Sequence, residues 1–342
     1  MSFKHIQGHE KTIKILKQAT KTGRLSHAYL FSGLEGIGKR LTAIALSKIL
    51  LCSSKGLEPC GKCSACIQVE RGNHPDLIMV SPLNGTIKIE SIRNLKQELS
   101  RKSFAGGYKI CLVDNAEKMN IQAENSLLKT LEEPPPDTII ILITGQPYRL
   151  LPTVLSRCQQ IKFQPLSIST ASELIRKKVD VDTKTASLLA SLTGGSPGKA
   201  LQLNVEYVKQ LRDSWIECSR TSSSAVGEDI SNLAADFCRD KDTLDLRLNL
   251  LRLWYRDMIF YKIYGSSKEL LNSEETKEIV SQSSSLSLER LVDTLFCIEE
   301  YSQTLEYNVN PQLAVESLLL NLNSGNASLF PCSGRAAAVG NY

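Results

Sequence analysis

Gly33-Leu34-Glu35-Gly36-Ile37-Gly38-Lys39-Arg40 matches a phosphate-binding loop at every defining position except the last. In a hydrolysing loop the backbone N–H groups cradle phosphate, the lysine reaches the terminal phosphates, and a final Ser or Thr hydroxyl helps to hold Mg²⁺. Arg40 brings a positive charge and no acceptor, so it cannot ligate the metal. Gly33, Gly36, Gly38 and Lys39 are therefore the frame of a nucleotide site whose metal position is damaged.

The partner element of such a site is an apolar strand ending in an aspartate for Mg²⁺, followed by a glutamate that polarises the attacking water. Ile110-Cys111-Leu112-Val113-Asp114 supplies the first part. The next residue is Asn115, an amide that orients water but cannot accept its proton. Glu117, two residues further on, is expected to point elsewhere. Two independent losses thus fall on metal binding and water activation, and together they favour a site that does not hydrolyse. Without the loop upstream, Asp114 reads equally well as a strand-end turn residue.

Cys52, Cys60, Cys63 and Cys66 form C-x7-C-x2-C-x2-C, four thiols within one short loop. This spacing reads as a closed tetrahedral Zn²⁺ site, and four protein ligands make the zinc structural, with no open position for substrate. The alternative is a set of buried or redox-active thiols. His74 is not needed as a ligand and is expected in the turn Asn73-His74-Pro75-Asp76. Cys111, Cys158, Cys218, Cys238, Cys297 and Cys332 lack such spacing and read as core or surface residues.

These groups need a scaffold, and 342 residues suggest two or three domains. Up to residue 163, β-rich runs at 28–31, 77–80, 110–113, 139–142 and 160–163 alternate with helical patterns at 39–51, 89–100 and 121–131. Pro134-Pro135-Pro136 ends the last of these helices. The alternation predicts an α/β parallel sheet with crossover helices. The loop follows a strand and opens a helix, the context that a phosphate-binding reading requires.

Beyond residue 165 helical patterns dominate, at 171–179 and 183–192 and then, after Gly194-Gly195-Ser196-Pro197-Gly198, in a helix carrying Lys199 and Leu201. Residues 221–227 read as a polar connector. Leu244, Leu248, Leu251, Tyr255 and Met258, and later Leu288, Leu291, Leu295 and Ile298, recur at helical spacing as core or subunit interface. The tail from 324 to 342 is expected to be disordered.

No apolar run approaches membrane-spanning length and the start is not signal-like, which predicts a cytoplasmic address with the ten cysteines reduced. A formal charge of +5 permits contact with nucleic acid without arguing for it. A zinc-finger DNA-binding role is weak, because no basic recognition helix accompanies the cysteines.

Three stretches carry a resemblance: Arg24-Leu25-Ser26-His27-Ala28-Tyr29-Leu30-Phe31-Ser32-Gly33, Asn125-Ser126-Leu127-Leu128-Lys129-Thr130-Leu131-Glu132-Glu133-Pro134-Pro135 and Leu155-Ser156-Arg157-Cys158. Together with Asn308-Val309-Asn310-Pro311-Gln312-Leu313 near the end, they make residues 3 to 320 resemble the clamp-loader ATPases of the AAA+ class. The resemblance implies an AAA+ nucleotide-binding-type domain (1–165) holding the cysteine module (52–66), a small helical lid (166–208) and an all-α collar (209–323).

It also implies roles. Arg157 stands where the family's arginine points into a neighbouring motor subunit's ATP site, Thr144 at a first sensor position, and Lys199 where a sensor arginine is usual. The expected partners are motor and delta-type subunits in a five-subunit ring, the sliding clamp, and primed DNA contacted through the assembly. With Arg40 and Asn115, the expectation is a non-hydrolysing stator in replication. The competing expectation is a self-sufficient ATPase using Lys39, Asp114 and a displaced carboxylate. Whether ATP binds is left open by the retained Lys39 and glycines.

Overall fold

The β-branched and aromatic runs become β1 (Ala28–Ser32), β2 (Leu77–Val80), β3 (Lys109–Val113), β4 (Thr138–Thr144) and β5 (Gln159–Lys162). They are described in a computed structural model covering residues 2–54, 56–221, 228–239, 241–304 and 310–323. All pairings are parallel, in the order β2-β3-β4-β1-β5. Every residue of β1, β3 and β4 is buried, whereas each edge strand buries one residue, Leu77 of β2 and Ile161 of β5. That contrast is expected of a sheet covered on both faces, whose central strands have no solvent side.

Around the sheet run α1 (Glu10–Thr22), α2 (Lys39–Leu51), α3 (Ser64–Arg71), α4 (Ile89–Ser100), α5 (Ile121–Glu132) and the single turn α6 (Pro152–Leu155). Successive strand residues point to opposite faces and sort into two cores. Tyr29, Phe31, Ile141 and Ile143 pack with Leu16, Leu46 and Ile49 of α1 and α2. Leu30, Ile140 and Leu142 pack with Ile92, Leu95, Leu127 and Leu131 of α4 and α5. Asn120 starts α5 by accepting the Ala123 N–H at 2.8 Å, the usual satisfaction of an orphan N-terminal donor.

The chain divides into two units, residues 1–174 with 194–199, and residues 175–193 with 200 onward. The described residues after β5 contain helices and no strand: α7 (Ile168–Arg176), α8 (Thr183–Leu192), α9 (Pro197–Ala200), α10 (Val205–Thr221), α11 (Glu228–Cys238), α12 (Lys241–Tyr264), α13 (Thr276–Ser285), α14 (Leu288–Thr304) and α15 (Pro311–Asn323). The expected helix at 171–179 lies three residues earlier, because Ser167 Oγ accepts the Thr170 N–H at 3.2 Å and starts it there. The helix expected to carry Lys199 and Leu201 ends at Ala200.

In the second unit the stripe Leu244, Leu248, Leu251, Tyr255 and Met258 is buried, with Trp254, against Leu291 and Ile298. Leu288, at the start of α14, is exposed. No helix among the described residues is long and apolar enough to cross a membrane. The connector residues 222–227, Asn308, Val309 and the tail 324–342 lie outside the described residues, as do the side chains of Cys218 and Cys332.

Candidate functional site

Parallel register sets Ser32 of β1 beside Thr144 of β4, so the loop after β1 and the turn after β4 open on the same end of the sheet. In a parallel α/β sheet the crevice beyond the strand C-termini is where ligands bind. Gly33, Gly36 and Gly38 all have positive φ. At Gly36 (φ +77°) a Cβ would stand 2.5 Å from Ser196 Oγ and 2.6 Å from Lys199 N, and at Gly33 (φ +143°) 2.4 Å from Phe163 O. Only glycine allows both the left-handed backbone and that approach.

Residues 194–199 belong to the same unit as the loop and bond to it directly. Gly198 N–H donates to Gly36 O at 2.9 Å, and Ser196 Oγ donates to Glu35 O at 2.6 Å. Beneath the loop, the Nε2–H of buried His9 donates to Ile37 O at 2.7 Å, its ring edge-on to Phe163. Lys199 itself is exposed and donates its N–H to Ser196 Oγ.

Lys39 is 6 % exposed. Its ammonium donates to Gly33 O at 2.5 Å and Leu34 O at 2.6 Å, carbonyls of its own loop. Burial holds its pKa below the ordinary lysine value, the positive charge of Lys199 adds to that, and the carboxylates of Glu117, Glu35 and Asp114 oppose it.

Arg40 Nη1 lies 3.4 Å from Asp114 Oδ2. The guanidinium thus faces the carboxylate that the sequence offered as a Mg²⁺ ligand. Asn115 takes a left-handed backbone (φ 50°) and its N–H bonds to Asp114 Oδ1 at 3.2 Å. Thr144 is fully buried, its Oγ1 accepting the Gln146 N–H at 3.0 Å.

Glu117 corrects the sequence reading. It does not turn away: Oε1 accepts the Gly145 N–H at 3.3 Å, in the turn directly after Thr144, and Oε2 is buried without a partner. The short 3-10 turn at Ala116–Lys118 swings the side chain back over the strand ends, a bend that residue spacing alone does not announce.

Arg157, just after α6, is part-exposed. Its Nε donates to Glu132 Oε1 at 2.8 Å, and Nη2 lies 2.6 Å from the same oxygen. Nη1 donates to Thr153 O at 2.9 Å and Ser156 Oγ at 3.3 Å.

The four cysteine sulfurs all lie within 4.8 Å of one another, with Cys52 and Cys63 3.9 Å apart and Cys60 and Cys66 4.0 Å apart. Four sulfurs about 2.3 Å from a tetrahedral ion sit about 3.8 Å from each other, so the set fits a Zn²⁺-sized cation. Three backbone N–H groups already point at the sulfurs: Cys60 N at Cys52, Cys63 N at Cys60, and Cys66 N at Cys63. Backbone N–H bonds from Ser53 and Cys66 bring the Cys63 thiol down to about 6, whereas burial pushes Cys66 up to about 12. His74 is buried in its turn, Nδ1 accepting the Asp76 N–H. Cys111 and Cys158 are core residues.

Sequence comparison places this architecture. Residues 8–167 match the family model described as DNA polymerase III, delta subunit, and residues 206–324 match its C-terminal counterpart. The chain is 34% identical over 319 residues to DNA polymerase III subunit delta' of Bacillus subtilis, covering 92% of this chain and 96% of that protein. It belongs to the delta prime family of DNA polymerase III clamp-loader subunits.

Delta prime of Pseudomonas aeruginosa is 38% identical over 196 residues, covering 56% of this chain and 60% of that protein. Subunit tau of Bacillus subtilis is 27% identical over 347 residues, covering 94% of this chain and 61% of that one. The all-parallel sheet with crossover helices and the glycine loop after β1 is the α/β architecture expected from the sequence.

Of the residues assigned from the sequence to a degenerate nucleotide site, Gly33, Gly36, Gly38 and Lys39 follow β1, Asp114 follows β3, Thr144 ends β4, and Lys199 lies in the segment that bonds to the loop. Sequence reasoning missed His9, Ser196 and Glu132. Ser196 lies 161 residues from its partner Glu35, a pairing with no local signal. Glu132 stood inside a quoted motif with no role attached.

Proposed function

We propose that this chain is the non-hydrolysing stator of a clamp-loader ring and lends Arg157 in trans to the ATP site of a neighbouring motor subunit. The observation that carries the first half is the guanidinium of Arg40 on Asp114. A monovalent cation there competes with Mg²⁺ for its carboxylate and supplies no oxygen ligand. Asn115 leaves water activation without its usual base. Lys39, turned onto the carbonyls of its own loop, must be released before it can reach a phosphate.

The second half rests on the family position of Arg157 and on its place at the surface. An arginine supplied by a neighbour offsets charge developing on the transferred phosphoryl, worth about three to five orders of magnitude in rate in related systems. The ring then uses ATP bound elsewhere to load the sliding clamp at primed DNA, in contact with motor and delta-type subunits. Residues 166–208 serve as lid and 209–323 as collar. Zn²⁺ on Cys52, Cys60, Cys63 and Cys66 is structural and ties the end of α2 to α3.

One observation favours the competing reading, a self-sufficient ATPase: Glu117 brings a carboxylate to the turn after Thr144. Steady-state ATP hydrolysis by the zinc-replete chain, alone and in the reconstituted clamp loader, separates the two. The stator predicts no turnover alone, and a fall of about a thousandfold at the served site when Arg157→Ala enters the complex. Turnover by the pure chain would establish the ATPase, and an unchanged rate in the complex would remove the trans role.

A further inference from the structure

An arginine that serves another subunit's nucleotide must have donors to offer, and those of Arg157 are engaged at home. Nε and one N–H of Nη2 meet a single carboxylate oxygen, Glu132 Oε1, at 2.8 and 2.6 Å. Both N–H groups of Nη1 have acceptors, Thr153 O at 2.9 Å and Ser156 Oγ at 3.3 Å. That leaves one N–H of Nη2. Phosphate recognition by arginine takes two parallel N–H groups along one edge of the guanidinium. One edge is held by Glu132, and the Nη1 half of the other by Thr153 and Ser156.

We infer that Glu132 is a latch that parks Arg157 on its own subunit until an incoming phosphate displaces the carboxylate. The inference rests on the trans role proposed above. Its elements are well placed for it. Glu132 is the last residue of α5 and Arg157 follows α6, while Glu124 of α5 binds Leu151 N–H at 2.8 Å. The two partners therefore stand on elements already tied together, and exchanging the pair requires only side chains to move.

Exposure makes the exchange easy: the Arg157 side chain is 34% exposed and that of Glu132 48%, a setting in which an ion pair is weak and a doubly charged phosphate outcompetes a carboxylate. A purely structural pair has a different logic. Glu132 and Glu133 stand at the C-terminal end of α5, where negative charge is unfavourable, and Arg157 would merely offset it.

The test uses the reconstituted clamp loader with wild type, Glu132→Gln, Arg157→Ala and the double variant, each checked for thermal stability and assembly. ATP turnover is measured without and with sliding clamp and primed DNA. A latch predicts that Glu132→Gln raises the unstimulated rate by about two- to fivefold, the factor by which parking lowers the available fraction. The stimulated rate stays the same, and the rise vanishes in the Arg157→Ala background. A slow Arg157→Ala complex with Glu132→Gln at the wild-type rate would overturn the latch and leave the trans arginine standing. A rate lowered by Glu132→Gln would make Glu132 an orienting group and also overturn the latch. No effect of Arg157→Ala would remove both.

Discussion

Arg40 Nη1 and Asp114 Oδ2 face each other at 3.4 Å beyond the C-terminal ends of the strands, the last residue of the glycine loop against the carboxylate that follows β3. On the proposed reading, Arg40 does more than omit a hydroxyl, because it sets a cation against the carboxylate that Mg²⁺ would need.

Removing that cation should reopen the metal position. Arg40→Thr is expected to give nucleotide binding that depends on Mg²⁺, read by titration of a fluorescent ATP analogue with and without EDTA, but no hydrolysis until Asn115→Glu is added. Wild-type protein that binds Mg·ATP as tightly as the variant would show that Arg40 is no barrier.

The cysteine module should behave as a metal-dependent fold element. Removing Zn²⁺ with a chelator, or Cys63→Ser, is expected to lower the melting temperature by about 10 °C, the equivalent of roughly 4 kcal/mol in a unit of this size. Release of one metal per chain, followed with a colorimetric zinc indicator, should track the loss. Because thiolates are the ligands, release should grow easier as the pH falls. A melt unchanged after complete metal removal contradicts a structural role.

Gly36 and Gly23 make a matched pair of probes. Both have left-handed φ, but a Cβ at Gly23 meets nothing within 4 Å whereas one at Gly36 meets Ser196 and the backbone of Lys199. Gly23→Ala should cost about 1 kcal/mol, the left-handed penalty alone, and Gly36→Ala about 2 kcal/mol or more. Equal losses in chemical denaturation would mean that the contact with residues 194–199 contributes nothing.

Acid sensitivity has an identifiable source in Glu70. The side-chain hydrogen bond from Lys48 Nζ, at 2.7 Å, is the main cause that holds its carboxyl at about 2, well below the usual 4.5. A carboxylate depressed by folding stabilises fully above its unfolded pKa, so this contribution is present above about pH 4.5 and is lost as the pH falls toward 2. Glu70 is more than half exposed, so the amplitude stays below about 1 kcal/mol. Glu70→Gln should flatten the slope of stability over that window, and an unaltered slope assigns it to other groups.

Much of the N-terminal unit was legible because its signals are local. The run at 139–142 is too β-branched and too short to be anything but a buried strand, and it extends only to Thr138 and Thr144. Lys39 to Leu51 is a helix opened by a glycine loop, and the structure keeps those bounds. Three terms resisted. The start of α7 depends on one hydroxyl cap at Ser167. The direction of Glu117 depends on a 3-10 turn that inverts what spacing suggests. The bonds of Ser196 and Gly198 to the loop span about 160 residues, and no periodicity reports a pairing of that kind.

The clearance around Gly33 and Gly36 has a meaning for motif reading in general. A Cβ would meet Phe163 O at one glycine, and Ser196 with Lys199 at the other. The loop's own neighbours are enough to demand residues without a side chain. A glycine signature therefore records how tightly two backbones approach, and by itself it says nothing of what the loop binds.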